Sequence, residues 1–493
     1  MKKCHLPLSS AIVALALFGV LITCNNSAAQ TKAEKIEALL GQYHEYRQFN
    51  GSALVAENGK IIFKKGFGMA NMEWEIPNAP DTKFRVGSIT KQFTAMLVMQ
   101  LVEKGTLKLD GKITDYLPDY PKNTGDKVTI HHLLTHTSGI PSYTGFPKFF
   151  NEMSRDPYAP AAFVKTFSDS ALQFEPGAKF SYNNSGYFLL GVIIEKVAGK
   201  SYEQALQENI LQPLNVQNTG YDEHNPIINR RAAGYEKRPG GYVNAPYLDM
   251  SLPYAAGSMY STVEDLYLWD QALYADKLLS SKSKALYFKP YIRASFAGDY
   301  AYGWAIAKAA IGQSKDSVMT IAHGGGINGF NTLFQRIPPD RHLIVLLNNT
   351  GGTNLDAMSQ SIRGILYERP YASAKKSIAE TIFATIMEKG IAPALAQYRE
   401  LKEKRADTFA LNEGEMNGVG YQLLSMKKVK EAIEVFKLNV EAFPQSSNVY
   451  DSLGEAYMIN GDKEAAIKNY EKSIELNPQN TGGIEMLKKL KAN

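Results

Sequence analysis

Apolar residues recur at helical spacing in KAEKIEALLGQYHEY, residues 32–46, and then give way to two β-type runs in GSALVAENGKIIFKKGFGMAN, residues 51–71. Between those runs stands Asn58-Gly59, a pair that accepts the positive φ values of a type I′ hairpin turn. A helical pattern starts at Ser88 and runs to about Lys104, stopping at Gly105, and its Phe93, Met96, Leu97, Leu101 and Val102 predict a buried helix. Another starts near Asn184 and stops near Gly199. Ser261-Thr-Val-Glu264 predicts a third helix start, with hydroxyl and carboxylate reciprocating in a capping box. Near residue 317 the period becomes that of strands: SVMTIAH, NTLFQRI and HLIVLLNN, the last two joined by PPDR, read as a β-meander. Strands at both ends and helices between them predict an α+β domain over residues 30–370, an antiparallel β-sheet flanked by helices and completed by the two ends of the segment.

Beyond about residue 373 the chain repeats itself. Gly420, Leu423, Ala432, Phe436 and Pro444 recur 34 residues later as Gly454, Tyr457, Ala466, Tyr470 and Pro478. Small residues let two antiparallel helices approach, aromatics pack between them, and the proline ends the second helix. This register resembles the tetratricopeptide repeat. Two copies are fewer than the ~3 that a freestanding stack needs. Helices at 376–406 and 481–491 are therefore expected to cap them, giving a helical linker over 371–411 and an all-α module over 412–493. Such a module suits a protein partner, or braces the domain before it.

A chain of 493 residues fits two or more domains, and its 44% hydrophobic and 21% charged residues are those of a globular protein. The N-terminus reads as an export signal: Met-Lys-Lys, the apolar run AIVALALFGVLI, then small residues up to about residue 29. Two processing routes fit it. Leu21-Ile-Thr-Cys24 resembles a bacterial lipobox, whereas Ser27-Ala28-Ala29 supplies the small residues of an ordinary cleavage site. The expectation is a protein exported from a bacterial cytoplasm, periplasmic or secreted, and held at a membrane only if lipidated at Cys24. Both cysteines, Cys4 and Cys24, fall in this segment, so the mature fold has neither disulfide nor thiol nucleophile. Removing Lys2 and Lys3 lowers the formal charge from +5 to +3, far from the basic stripe that nucleic-acid binding requires.

Candidate chemistry begins with VGSITKQF, residues 86–93, where Ser88 and Lys91 stand three apart. The spacing alone proves little, because Ser281/Lys284, Ser373/Lys376 and Ser425/Lys428 share it in polar, solvated surroundings. Ser88 differs by following an extended segment and opening a buried helix. On that helix the Lys91 amine can reach the Ser88 hydroxyl. Burial and the positive end of the helix both disfavour the ammonium, which suits a base for a serine nucleophile. The pair by itself leaves a second reading open, with Ser88 only an N-cap and Lys91 a snorkelling surface residue.

Two further stretches add to it. In FSYNNSGYFLLG, Tyr182 and Asn184 stand just before an apolar helix, as packing and cap or as a proton-relaying phenol and a substrate-gripping amide. In IAHGGGINGF, residues 321–330, three glycines at a strand end leave backbone N–H groups open to a substrate, and His323 offers a polar group at the mouth of that gap.

Ser88-x-x-Lys91, Tyr182-x-Asn184 and His323-Gly-Gly325, in that order, resemble the three motifs of the serine β-lactamase and penicillin-binding protein superfamily, in its class C-like branch of D-alanyl-D-alanine carboxypeptidases, D-aminopeptidases and esterases. HLLTHTSGI, residues 132–140, and AAGSMYSTVEDLYLW, residues 255–269, are similar to segments of that branch, and the likeness spans about residues 33–370. The resemblance implies a β-lactamase/transpeptidase-like fold and a serine hydrolase that works through an acyl-enzyme without cofactor or metal. Ser88 would be acylated, Lys91 and Tyr182 would transfer protons, and Asn184 would contact the small-molecule or peptide substrate. The oxyanion would lie between the backbone N–H groups of Ser88 and Gly326, beside Gly325. His-Gly-Gly replaces the K-T-G of class C β-lactamases, which removes a cation suited to a substrate carboxylate. His323 would hold an anionic or polar group, more weakly unless protonated.

Rival readings are thinner. HGGG at 323–326 also matches the oxyanion motif of α/β-hydrolases, but no G-x-S-x-G pentapeptide exists in the chain. His132 and His136 have a zinc-compatible spacing without H-E-x-x-H or further clustered ligands, and read as packing and capping. A non-catalytic envelope-binding or scaffold protein working through its repeats is the alternative of a different class. Pocket loops between the motifs set the choice among β-lactam, ester and D-amino-acid peptide.

Overall fold

A computed structural model describes Met1, residues 30–294 and residues 298–492. The expected export signal, with Cys4 and Cys24, lies outside the described residues. Helix α1 (Lys32–Glu45) leads into the hairpin of β1 (Gly51–Glu57) and β2 (Lys60–Phe67). Asn58 and Gly59 both have positive φ, 52° and 76°, as a type I′ turn requires. After the helices α2 (Thr90–Glu103) and α3 (Asn184–Ala198) come β3 (Ile292–Ala294), β4 (Gly298–Tyr300), β5 (Ala305–Ala310), β6 (Ser317–Ile327), β7 (Phe330–Ile337) and β8 (His342–Asn348). All eight strands form one sheet in the order β3-β4-β5-β6-β7-β8-β1-β2, antiparallel throughout. The pairing of Leu54 with Val345 joins the first strand to the last, so the two ends of the domain do close the sheet.

Both faces of that sheet are covered. Leu54, Val345 and Leu347 face the main core with α2 and α3, while Val55, Ile344 and Leu346 face α1 and the helix α4 (Leu355–Leu366). Alternation across the pleat therefore reads as an unbroken apolar run in HLIVLLN, every residue of which is buried. Each such aliphatic side chain contributes about 1.5–3 kcal/mol. Helix α2 is buried on every side from Thr90 to Met99, Lys91 included, so it fixes its residues by packing all round.

The predicted capping box is displaced by one residue. Thr262, not Ser261, caps the helix Val263–Leu273, accepting from the Asp265 N–H at 3.2 Å. Ser261 is instead the last residue of a short strand and hydrogen-bonds Thr219 at 2.7 Å, and Glu264 is paired with Lys64.

The C-terminal part is helical apart from one short parallel pairing of Lys376–Ser377 with Phe409–Ala410: α5 (Ile378–Lys389), α6 (Ile391–Lys404), α7 (Glu413–Ser425), α8 (Val429–Ala442), α9 (Ser447–Asn460), α10 (Lys463–Leu476) and α11 (Thr481–Ala492). Gly420 and Gly454 sit where helices of a pair meet: a Cβ would stand 2.4 Å from the Phe436 ring in one repeat and 3.3 Å from Tyr470 in the other. The stretch expected as a linker packs as a helical pair, with Ile382, Phe383 and Tyr398 in the same core as Met416 and Phe436. Arg47 of the sheet domain meets Glu380 of α5 at 3.0 Å.

Candidate active site

Ser88 lies in a single 3₁₀ turn, Gly87–Ile89, which feeds directly into α2. Its side chain caps neither helix start, so the hydroxyl is free of the structural job that the rival reading gave it. Lys91 sits one turn on, with no exposed surface. Its Nζ is 3.0 Å from Ser88 Oγ, 2.9 Å from Asn184 Oδ1 and 2.8 Å from the carbonyl oxygen of Ala256. Burial holds the amine well below the usual lysine range. A neutral amine has two hydrogens and one lone pair. The Asn184 and Ala256 oxygens can only accept, so they take both hydrogens and leave the lone pair facing Ser88.

Tyr182 brings its ring to 4.9 Å from Lys91 Nζ, and its hydroxyl neighbours Ser88. Burial raises this phenol well above the usual tyrosine range, with the Ser88 contact acting in the opposite direction. It is a neutral O–H. Asn184 opens α3, and its placement comes from the loop before it: the Asn184 N–H donates to Ser142 Oγ at 3.1 Å, and Nδ2 to Thr144 Oγ1 at 3.3 Å. Asn183 supplies the cap, accepting from the Gly186 N–H at 2.6 Å, which frees Asn184 to face Lys91.

Strand β6 runs through the three glycines rather than ending before them. Its pairing with β5 stops at Ala322, so residues 323–327 have a partner on one side only, β7. The glycines do different things. A Cβ on Gly325 would stand 2.0 Å from the Val86 carbonyl oxygen and 2.2 Å from Thr332 Oγ1, so this glycine is needed for strand apposition. Only Gly326 faces open space. A Cβ on Gly87, whose φ is +52°, would stand 3.0 Å from the Gly326 nitrogen, so the turn bearing Ser88 and the strand bearing Gly326 abut.

His323 corrects an expectation. It does not stand at the mouth of the site: it is 8% exposed, with Nε2 3.0 Å from the Tyr300 hydroxyl and Nδ1 2.6 Å from the Gly324 carbonyl oxygen. Burial, with Lys91 nearby, pushes it down to about 4. It is uncharged at neutral pH and both nitrogens are engaged. It therefore cannot replace the missing cation.

A cavity of about 110 Å³ opens at Ser88, lined among others by Tyr143, Phe149, Phe150, Leu248, Ile327 and Asn328. Among the described residues none of its lining side chains is charged. Spacing and motif order did not point to these aromatics, nor to the Ala256 carbonyl, which acts through backbone and leaves no side-chain signal. The competing serine–lysine pairs lead elsewhere: Ser281 and Lys284 both turn to Asp276, and Ser425 to the Gln422 carbonyl. His132 completes the Thr129 cap, its Nδ1 accepting from the Thr129 N–H at 3.2 Å.

The sequence and fold have known relatives. The β-lactamase family model matches residues 35–367, and a tetratricopeptide repeat model matches residues 447–480. A penicillin-binding protein of Bacillus subtilis (strain 168) is 32% identical over 385 residues, covering 71% of this chain and 81% of the relative. A teichoic acid D-alanine hydrolase of Staphylococcus aureus is 28% identical, covering 67% and 78%. Among solved structures, the D-amino acid amidase of Ochrobactrum anthropi SV3 superimposes with a TM-score of 0.58 at 26% identity, over 68% of this chain and 98% of that one. With two thirds of its length in one family match and a solved relative of similar fold, the chain belongs to the β-lactamase family and is a serine hydrolase related to the penicillin-binding proteins.

Proposed function

We propose that the protein hydrolyses esters and amides through an acyl-enzyme on Ser88, and that it favours substrates without a carboxylate beside the scissile bond. The observation that carries the first part is the three-way contact of Lys91, whose lone pair points at the Ser88 hydroxyl. Ser88 Oγ attacks the substrate carbonyl as its proton passes to Lys91. The oxyanion is met by the backbone N–H groups of Ser88 and Gly326. Tyr182, a neutral phenol beside Ser88, carries the proton onward to the leaving group. Water then repeats the sequence against the acyl-enzyme, with the same base.

Substrate class follows from the uncharged cavity. A β-lactam or a peptide C-terminus would bring a carboxylate to a site lined by Phe149, Phe150, Leu248 and Asn328, with His323 neutral behind it. Burying such an unpaired charge is costly. Short apolar acyl esters suit the site better, and amides of D-amino acids bring no carboxylate to it. The names of the teichoic acid D-alanine hydrolase and the D-amino acid amidase support ester and amide chemistry of that kind. The apolar leader and the wall-related relatives support export, and the repeats support a protein partner.

The test is a hydrolysis panel of a chromogenic cephalosporin, short-chain esters and D-amino-acid amides, run on wild type and Ser88→Ala. Esters or amides should lead, and every activity should fall by roughly a thousandfold or more in the variant. Equal turnover by both proteins refutes the Ser88 mechanism, and a preference for the cephalosporin refutes the substrate class.

A further inference from the structure

Behind the site, four polar contacts run in series. The Asn183 N–H lies 3.1 Å from His136 Nδ1, His136 Nε2 lies 3.1 Å from the Tyr300 hydroxyl, that hydroxyl lies 3.0 Å from His323 Nε2, and His323 Nδ1 lies 2.6 Å from the Gly324 carbonyl oxygen. All three side chains are buried. The two ends fix the direction of everything between them. A backbone N–H can only donate, so His136 Nδ1 accepts and its hydrogen sits on Nε2. A carbonyl oxygen can only accept, so His323 carries its hydrogen on Nδ1 and accepts at Nε2. The Tyr300 hydroxyl must then accept from His136 and donate to His323. With two neutral imidazoles, no other assignment satisfies all four contacts. Neutrality itself follows from burial, which lowers both rings. Tyr187, whose hydroxyl also neighbours that of Tyr300, donates its own hydrogen to the Leu134 carbonyl at 2.9 Å.

The ends of the chain are informative. His136 grips the backbone on both sides of Tyr182: its carbonyl oxygen accepts from the Ser181 N–H at 2.9 Å, and its ring accepts from the Asn183 N–H. It does so at a φ of +58°, a left-handed conformation that costs about 1–2 kcal/mol in a residue other than glycine. Its ring centroid stands 4.4 Å from that of Tyr182. At the other end, Gly324 begins the run of three glycines, where the backbone has the least side-chain packing to hold it and the strand has lost its β5 partner.

We infer that His136, Tyr300 and His323 form one directed hydrogen-bond chain tying the Tyr182-x-Asn184 turn to the Gly324–Gly326 edge, so that His136 and Tyr300 are positioning residues for the Tyr182 hydroxyl and the Gly326 N–H. Neither touches the reacting atoms. The chain holds the proton carrier and the oxyanion edge at a set separation. The positioning role rests on the acyl-enzyme reading above; the direction of the chain does not.

Two measurements test it. Long-range proton–nitrogen NMR of the full-length protein at neutral pH should find His136 protonated at Nε2 and His323 at Nδ1. The opposite tautomer at either ring overturns the chain. Tyr300→Phe keeps the ring and removes the link. Its kcat for ester hydrolysis, per titrated Ser88, should fall about tenfold to a hundredfold with KM within about twofold, as for a small misplacement of catalytic groups. A merely structural role would reduce the titratable sites and leave kcat per site unchanged, and that result overturns the positioning role. Should this variant fail to fold, His136→Asn keeps an acceptor for the Asn183 N–H, drops the donor to Tyr300, and reads the same quantity. If wild type does not acylate at Ser88, the hydrolase reading fails, and the tautomers still decide the chain.

Discussion

The Lys91 amine donates to the carbonyl oxygen of Ala256 across 2.8 Å, a contact between a fully buried side chain and a backbone group 165 residues away in sequence. It separates this lysine from a surface residue that merely lies near a serine. With the Asn184 oxygen as second acceptor, it sets where the remaining lone pair points.

A pH dependence follows. Because burial lowers Lys91 well below the ordinary lysine range, its base form is populated at lower pH than that of a free lysine. Acylation of Ser88 should rise with pH through that lowered value and reach its plateau before the usual range of ~10.4 is approached. The pH profile of single-turnover acylation reads this directly. A rate still climbing through the ordinary lysine range refutes a neutral Lys91.

His323 adds a stability effect of opposite practical interest. Its folded value of about 4 lies below the unfolded 6.5, so the unfolded chain binds the proton first as pH falls. The contribution is complete above the unfolded value and is lost as pH drops toward the folded one, on the order of 3 kcal/mol in all. Urea unfolding at roughly pH 7, 5 and 4 should show a smaller acid loss in His323→Gln than in wild type. Equal losses refute the assignment.

Neighbouring glycines should respond differently. Gly325→Ala drives a Cβ into the Val86 carbonyl, so it should cost about 1–3 kcal/mol and most activity. Gly326→Ala meets open space and should keep the wild-type melting temperature while raising KM. Thermal melts and steady-state kinetics on the two variants check the contrast, and similar melts for both would contradict it.

Asn328 tests the uncharged cavity. Its amide donates to the Pro246 carbonyl at 2.9 Å at the rim of the site. Asn328→Lys should shift kcat/KM toward carboxylate-bearing substrates over neutral esters by roughly tenfold, the effect of one charge-assisted contact. An unchanged ratio counts against the role of missing charge.

Much of this was legible in sequence because it rests on local chemistry. The Asn58-Gly59 hairpin, the start of α3 at Asn184 and the 34-residue repeat all follow from short-range rules, and each falls where the residues put it. The site motifs were legible as motifs. Their geometry was not, because it depends on long-range contacts: Val86 against Gly325, Ala256 against Lys91, Tyr300 against His323. His323 shows the limit. Next to three glycines it reads as an exposed polar group, yet the tertiary fold turns its ring inward onto Tyr300. Likewise Ser261 loses the cap to Thr262 because strand pairing with Phe84 claims it.

The most direct test is peptide mapping by mass spectrometry after acid quench of the protein reacting with a chromogenic short-chain ester. The predicted result is one acyl group on Ser88, formed at least about a hundredfold more slowly in Lys91→Ala and absent in Ser88→Ala. An adduct on another residue, or one that persists in Ser88→Ala, contradicts it.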